Sequence, residues 1–476
     1  MDQGGKITRN IFGTSFKEAD TVQIRATNGN LDFITPKEAN FHGKKGGKKF
    51  GEYQEEPLEI KANNTKATKA EVTRVKEIER LTPLDYGSNN DGKGKTQEGI
   101  VFGKTYKFKV KTYTNGEPKL KSSIKWMFKY HDLSQNKWVE LYTKNTGESC
   151  TVDFNREEMC GRFVYVRAYI EDEKTEGELK IWKHNRFRWF DRMIIEEEIK
   201  ARTDDKKPWR INQSGTSLCG MACIFYLFAK EQPDAYKKFA KKLFRTGEAT
   251  HNKYTAKPSV EVLEKMPYVN GILNEKEFPW NWVNINGRNQ KVNMPLIDYI
   301  TMAGTRNTDN PDYKGGDEEF QAINWPPLMT KLCEDLLGYG DVVSHGIYNP
   351  IKRGTNYPPK LIYKIIEDIN QQLSDGYKII LMIDSDLIDD DPDFYVPKKI
   401  NLDEIIKSAK SPFEFDYHWV TLETFIRDYP WLDSKGQNLY KLDFKVYSWG
   451  SKTTYLKEQI TLTHFINNFY GYIKVK

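Results

Sequence analysis

Residues 213–228 read Gln-Ser-Gly-Thr-Ser-Leu-Cys-Gly-Met-Ala-Cys-Ile-Phe-Tyr-Leu-Phe, a short polar loop followed by an almost wholly apolar run. The apolar run predicts a buried helix that starts near Cys219. We expect Ser217 or Thr216 to cap this helix by accepting hydrogen bonds from its free backbone N–H groups. Cys219 then lies in the first turn, where those N–H groups and the helix dipole favour a thiolate, the nucleophilic form of sulfur.

A cysteine on an apolar helix has competing interpretations. It is more often a small buried hydrophobe than a nucleophile, and we interpret Cys223, one turn further on, in that way. A zinc site at Cys219 and Cys223 has little support, because no Cys-x2-Cys pair or histidine at ligand spacing accompanies them. The cap signal and the position before the apolar run favour Cys219 as a nucleophile.

A nucleophilic cysteine needs a general base, and His418 has the best context among the seven histidines. It lies in the β-prone segment 415–422, on the same face as two apolar residues. An apolar strand candidate at 377–384 precedes this segment, and a strand at 444–450 that ends in Ser-Trp-Gly follows it. Other histidines are weaker candidates: His184, for example, stands beside two arginines and is predicted to be solvated.

The spacing between Gln213 and Cys219, followed by Gly220, resembles papain-like cysteine peptidases. In that family the Gln side-chain amide and the Cys backbone N–H form the oxyanion hole, so the resemblance implies this role for Gln213. A core strand, a His-x-Val strand and a strand ending in Ser-Trp-Gly also resemble the second half of a papain-like fold.

One position departs from the papain pattern. Papain has Asn-Ser-Trp-Gly at the third strand, whereas Tyr447 takes the Asn position here, and the spacing from His418 is longer. Either a hydrogen-bonding side chain holds the imidazole tautomer, or the cysteine and the histidine form a loosely assembled dyad. The candidate side chains are Ser448, Asp416 and Asp443, of which we favour Ser448.

Length and composition indicate a multidomain soluble protein. The chain has 476 residues with 38% hydrophobic residues, and no stretch approaches the roughly 20 apolar residues of a membrane helix. No hydrophobic region follows Met1, so we expect no secretory signal peptide. The net charge of +6 arises from 73 basic and 67 acidic residues, a balance too even to indicate nucleic-acid binding.

The N-terminal region, 1–69, is predicted to be a basic Gly/Lys-rich arm. Between 70 and 184, several short segments alternate with period two and predict a β-sandwich that looks immunoglobulin-like. The predicted strands start near Val72, Lys104, Ile124, Lys137, Cys150 and Arg162. Cys150 and Cys160 flank a hairpin-like piece, but an odd total of five cysteines favours free thiols.

Residues 185–207 predict a connecting helix, and a hydrolase domain is expected from 208 to 476. Further helices are predicted at 234–244 and 361–373. The region rich in Trp, Pro and Asn between them, including the stretches 294–310 and 322–327, is predicted either to form walls of the substrate cleft or only to pack the helical part. The acidic run 384–393 lacks EF-hand spacing and is predicted to be a solvated loop, so no metal or other cofactor is expected.

The sequence thus predicts an α+β protein: a papain-like cysteine hydrolase domain preceded by an immunoglobulin-like β-sandwich and a flexible N-terminal arm. Cys219 would attack an amide carbonyl with His418 as base. The segment around the Cys helix is similar to bacterial peptidases of the bacteriocin-leader-processing type. With a β-sandwich in front, the chain resembles contact-dependent toxins such as type VI secretion effectors.

That resemblance implies a protein or peptide substrate, a secretion-machine partner and a cognate immunity protein, with no nucleic-acid partner and no stable membrane insertion. It also implies a chain made in a bacterial cytoplasm and delivered into a target cell. Two alternatives stay open. One is a peptidoglycan amidase or endopeptidase with the same dyad, and the other is a non-catalytic binding or structural component of a secretion system.

Overall fold

The computed structural model describes residues 72–132, 134–285, 287–316, 319–346, 359–388, 417–432, 438–450, 460–461, 465 and 468–476. These residues belong to one compact unit of the chain and form a mixed α+β fold. The predicted basic arm at 1–69 lies outside the described residues.

Two sheets share one apolar core in the first part of this unit. Their strands are β1 (Val75–Arg80), β2 (Asp85–Ser88), β3 (Thr96–Val101), β4 (Thr105–Tyr113), β5 (Lys125–Asp132), β6 (Lys137–Thr146), β7 (Ser149–Asp153), β8 (Arg162–Tyr169) and β9 (Gly177–His184). One sheet has the order β2-β3-β9-β8-β5-β6 and the other β1-β4-β7, with only β3 and β9 parallel among these pairs. Val110 of the small sheet and Trp126 and Val166 of the large sheet lie in the same buried cluster.

The period-two pattern located six of these strands. β2, β3 and β9 were not predicted: β2 is short and polar, and β3 begins with exposed polar residues. Cys150 and Cys160 are free thiols, as are the other three cysteines, and all five are buried.

The connecting helix α1 (Arg192–Arg202) leads from the sheets to the helical part. Asp191 caps it by accepting from the Met193 N–H at 2.8 Å. At its other end, Arg202 donates to both carboxylate oxygens of Asp298 at 2.9 and 2.6 Å. Asp298 also accepts from the Asn212 N–H at 2.9 Å, so this buried ion pair holds the chain where it enters the 213–218 loop.

Helix α2 (Cys219–Glu231) is long and apolar, and α3 (Pro233–Thr246) and α8 (Pro326–Asp335) pack against it. The other α-helices are α4 (Val260–Leu263), α5 (Leu296–Asp298), α6 (Gly304–Asp309), α7 (Glu319–Ala322) and α9 (Pro359–Ser374), with a π-helical stretch at Tyr299–Ala303 joining α5 to α6. Small two-stranded hairpins lie between them, namely β10 (Ala249–His251) with β11 (Tyr254–Ala256), β12 (Tyr268–Val269) with β13 (Ile272–Leu273), and β14 (Trp280–Ile285) with β15 (Arg288–Asn293). Helices α3 and α9 occupy the segments where the sequence predicts them.

An antiparallel five-stranded sheet follows, in the order β16-β23-β17-β18-β21. Its strands are β16 (Val342–Gly346), β17 (Lys378–Asp384), β18 (Tyr417–Leu422), β21 (Val446–Tyr447) and β23 (Phe469–Val475), while β19 (Arg427–Leu432), β20 (Asn438–Asp443) and β22 (Ile460–Thr461) form a separate sheet. One face, which includes Met382 and Trp419, packs on α2. The other face, which includes Leu381 and Val420, packs on Ile369 of α9. Helix α2 is therefore buried between this sheet and the other helices.

We predict that Asp298→Ala lowers the free energy of unfolding by about 3–5 kcal/mol, because it leaves the Arg202 guanidinium buried without its counter-charge. Urea unfolding measures this loss. Asp204→Ala is the matched control, since the side chains of the Lys237–Asp204 pair are 35% and 50% exposed; it should cost less than about 1 kcal/mol. Equal losses in the two variants would contradict the role given to the buried pair.

We also predict that the contribution of Glu198 to stability falls as the pH rises from about 4.5 to 7. Burial raises the pKa of the Glu198 carboxyl from 4.5 to about 7, with Arg202 opposing and Asp298 adding to the shift. The folded chain therefore keeps a proton on Glu198 in this interval that the unfolded chain releases. This contribution is complete below pH 4.5 and is lost as the pH passes 7. Glu198→Gln should therefore melt at a progressively higher temperature than the wild type as the pH rises through this interval, whereas Glu197→Gln, at an exposed neighbouring position, should keep a constant difference from the wild type.

Candidate active site

Helix α2 begins at Cys219 without a side-chain cap. Its N-cap residue is Leu218, whose side chain makes no capping hydrogen bond. The prediction that Ser217 or Thr216 caps the helix is therefore wrong. The Thr216 hydroxyl donates instead to the Gln213 carbonyl oxygen at 2.7 Å, which closes the loop before the helix.

The side chain of Gln213 closes the same loop from the other direction. It is 5% exposed, and its Nε2 donates to the Thr216 carbonyl oxygen at 2.7 Å. Ser214 has a φ of 55°, the left-handed region that non-glycine residues rarely adopt. In this structure the amide predicted to serve the oxyanion is thus engaged within its own loop.

The Cys219 sulfur lies against the backbone of β18. Its thiol donates to the Tyr417 carbonyl oxygen with a sulfur–oxygen distance of 4.0 Å, and the backbone N–H of Trp419 interacts with the same sulfur. In a strand, the carbonyl of one residue and the N–H two residues later point to the same edge. Cys219 therefore lies at one edge of β18.

Strand β21, which lies beside β18, is short. Among the described residues it pairs with β18 only at Thr421 and Leu422, and the chain then turns away through Trp449 and Gly450, whose φ angles are 44° and 72°. A Cβ on Gly450 would lie 2.8 Å from the Asn212 side chain, so glycine is required there both by conformation and by space. The Ser-Trp-Gly turn thus lies next to the start of the Gln213 loop.

His418 contacts two residues of this turn. Its Nε2 is 2.6 Å from the Ser448 hydroxyl oxygen, and its ring stacks on Trp449 with 4.4 Å between centroids. Tyr447 points to the α2 face, where it stacks on Tyr226 and donates to the Ile211 carbonyl oxygen at 2.6 Å. Ser448 is therefore the side chain that the fold brings to the second ring nitrogen.

Cys219 and His418 flank the same three-residue backbone segment, but no hydrogen bond joins the thiol to the ring among the residues that the structure describes. Both are buried, with Cys219 3% exposed and His418 4% exposed. Burial raises the pKa of the Cys219 thiol to about 11 and lowers the pKa of the His418 imidazole to about 3. The expected thiolate is therefore wrong for this state, in which both groups are neutral.

Other sequence expectations have mixed outcomes. Cys223 lies in the core, as predicted, with burial raising its thiol pKa. His184 is buried rather than solvated, and burial lowers its pKa to about 4. Asp384 is also buried and accepts from the Tyr470 hydroxyl at 2.6 Å, whereas residues 389–393 of the acidic run lie outside the described part. Within the described ranges, no group of three or more His, Cys, Asp or Glu side chains could hold a metal ion.

Two residues at the site were not singled out from the sequence. Trp419 contributes its backbone to the sulfur, and its indole N–H donates to the Asn324 carbonyl oxygen at 2.8 Å. Asn324 lies beside Gly220, where a Cβ would come within 2.6 Å of the Asn324 Cβ. The Asn-Trp-Pro-Pro stretch and the small residue after Cys219 were the available signals.

No protein-family model, curated protein or solved structure matches this chain. In the part of the chain that the structure describes, no helix combines the length and the apolar character needed to cross a membrane.

We predict that alkylation of Cys219 by iodoacetamide accelerates steadily from about pH 5 to pH 9, because a thiol with a pKa near 11 gains thiolate throughout this interval. Peptide mapping of timed reactions gives the rate for each cysteine. Cys333, whose pKa burial also raises, is the control and should react only after unfolding. A plateau for Cys219 between about pH 5 and 8 would instead identify a thiolate–imidazolium pair.

Proposed function

We propose that this chain is a cysteine hydrolase of papain-like type that cleaves an amide bond, with Cys219 as nucleophile and His418 as base. One observation carries the proposal. The Cys219 sulfur packs on the backbone that flanks His418, while the second ring nitrogen of His418 lies 2.6 Å from the Ser448 hydroxyl oxygen. Covalent catalysis requires a nucleophile, a base and a group that orients the base, and these two contacts supply one candidate for each role.

The chemistry starts from a neutral pair. With the Ser448 oxygen accepting from Nε2–H, Nδ1 of His418 carries the lone pair that takes the thiol proton as sulfur attacks the carbonyl carbon. The imidazolium then gives this proton to the leaving amine as the carbon–nitrogen bond breaks. Water, deprotonated by the same ring, hydrolyses the thioester and restores the thiol.

The proposal extends to the rest of the chain. The two-sheet region would be an immunoglobulin-like docking or delivery module, and the whole chain a secreted antibacterial effector that carries its activity into a target cell. A producer of such a toxin needs a cognate immunity protein, and delivery needs a component of the secretion machine. The substrate is a protein, a peptide or the peptide part of peptidoglycan.

A second candidate is a non-catalytic binding or structural role. Three observations favour it: the raised thiol pKa, the lowered imidazole pKa, and the small exposure of both groups. In this case Cys219 would act as a small core residue that packs on the edge of β18. Substitution of Cys219 separates the two candidates.

We predict that expression of the chain in a sensitive bacterium inhibits growth, and that Cys219→Ala or His418→Ala abolishes the inhibition. Either change removes the nucleophile or its activation. Growth curves at matched protein levels measure the effect. Cys223→Ala, one turn further along α2, is the matched control and should stay toxic. Undiminished toxicity of a folded Cys219→Ala variant would leave the non-catalytic role.

Directing the chain to the cytoplasm or to the periplasm of the sensitive bacterium distinguishes a protein or peptide substrate from peptidoglycan. Toxicity in the cytoplasm indicates a cytoplasmic protein or peptide. Toxicity that appears only after export to the periplasm indicates peptidoglycan.

A further inference from the structure

Asn324 is a buried polar residue without any local explanation. It lies in the three-residue connection between α7 and α8 and is 0% exposed. Within the described part of the chain, neither its Oδ1 nor its Nδ2 has a hydrogen-bond partner. Folded proteins satisfy nearly all buried polar side chains, because an unpaired amide loses its hydration without compensation. A residue that keeps this penalty is a candidate for binding something that the free protein lacks.

The position of Asn324 relates it to Cys219 in two ways. Its Cβ and Cγ are 2.6 and 3.1 Å from where a Cβ on Gly220 would stand, so it lies beside the residue that follows the nucleophile. Its carbonyl oxygen accepts from the Trp419 indole at 2.8 Å, and the Trp419 backbone N–H interacts with the Cys219 sulfur. The same tryptophan therefore contacts both residues.

The connection that carries Asn324 is well fixed. Pro326 and Pro327 occupy the first turn of α8, where their fixed φ angle suits a helix start. The Trp325 ring packs edge-on against Tyr417 with 5.8 Å between centroids. The amide is thus held by its neighbours rather than by hydrogen bonds of its own, which is the preorganisation that a binding group needs.

One N–H of the other candidate donor is already engaged. The Nε2 of Gln213 donates to the Thr216 carbonyl oxygen, whereas the two N–H groups of the Asn324 amide have no acceptor among the described residues. We propose that the Asn324 amide donates to the substrate carbonyl oxygen as negative charge develops there during attack by Cys219. This inference rests on the proposed function and assigns it a further catalytic residue.

The test uses p-nitrophenyl acetate, which reports on acyl transfer without knowledge of the natural substrate. In this reaction the Cys219 sulfur bonds to the acetyl carbon, the ester carbon–oxygen bond breaks, p-nitrophenolate leaves, and His418 takes the thiol proton. Asn324→Leu and Asn324→Ala should slow acetylation of Cys219 by about 10²-fold or more, as loss of an oxyanion donor does. Alkylation by iodoacetamide should keep its wild-type rate, because displacement of iodide creates no oxyanion.

Thermal unfolding supplies an independent readout, because replacing Asn324 and replacing Asn307 should change the melting temperature differently. Asn324→Leu should leave the melting temperature unchanged or raise it, because it removes an unpaired amide. Asn307→Leu is the matched control. Its buried amide donates to the Tyr313 carbonyl oxygen and accepts from the Ser259 N–H, both at 2.6 Å. This variant should therefore have a lower melting temperature than the wild type.

The outcomes separate this inference from the function on which it rests. If the wild-type thiol is alkylated but never acetylated, the hydrolase proposal fails and the role of Asn324 fails with it. If the wild type is acetylated and the Asn324 variants are acetylated equally fast, only the role of Asn324 is overturned. A parallel loss of acetylation and alkylation in the variants would also overturn it, since Asn324 would then only shape the thiol pocket.

Discussion

The site depends on where strand β21 ends. Among the described residues, β21 ends at Tyr447 and pairs with β18 only at Thr421 and Leu422. The sulfur of the first residue of α2 contacts the Tyr417 carbonyl oxygen and the Trp419 N–H of β18. The chain that follows β21 brings the Ser448 hydroxyl to the His418 ring. The contacts of the thiol with β18 and of the imidazole with Ser448 therefore both lie beside the end of β21.

Burial outweighs the helix dipole at Cys219. A helix terminus stabilises a nearby charge by up to about 2 kcal/mol. A thiol pKa raised from 9.0 to about 11 corresponds to roughly 3 kcal/mol in the opposite direction. The three N–H groups around the sulfur, from Trp419, Gly220 and Cys219 itself, oppose burial without cancelling it. The free protein thus holds a neutral pair, and activation requires a change in the environment of the thiol when substrate binds.

The sequence predicted the elements of the site better than their interactions. Apolar runs located α2, β17 and β18, and the Ser-Trp-Gly motif identified Ser448, because these signals are local. Neither the uncapped start of α2 nor the engaged amide of Gln213 could be predicted, since both depend on how the 213–218 loop closes. The Asn-Trp-Pro-Pro stretch draws attention to Asn324, but the lack of a hydrogen-bond partner for its amide among the described residues depends on its buried surroundings. The strands β2, β3 and β9 were missed because pairing with neighbouring strands, and not the period-two sequence pattern alone, sets their positions.

The proximity of the Cys219 sulfur and the His418 ring is the central claim, and a bifunctional alkylator tests it directly. 1,3-Dibromoacetone first alkylates a thiol and then any nucleophile within reach of its second carbon. For the folded chain, this account predicts a single bridged species that yields a linked pair of peptides containing Cys219 and His418, and that is lost when the protein is unfolded in urea before reaction. Attachment to Cys219 without a bridge, or a bridge from Cys219 to a different side chain, would contradict the account.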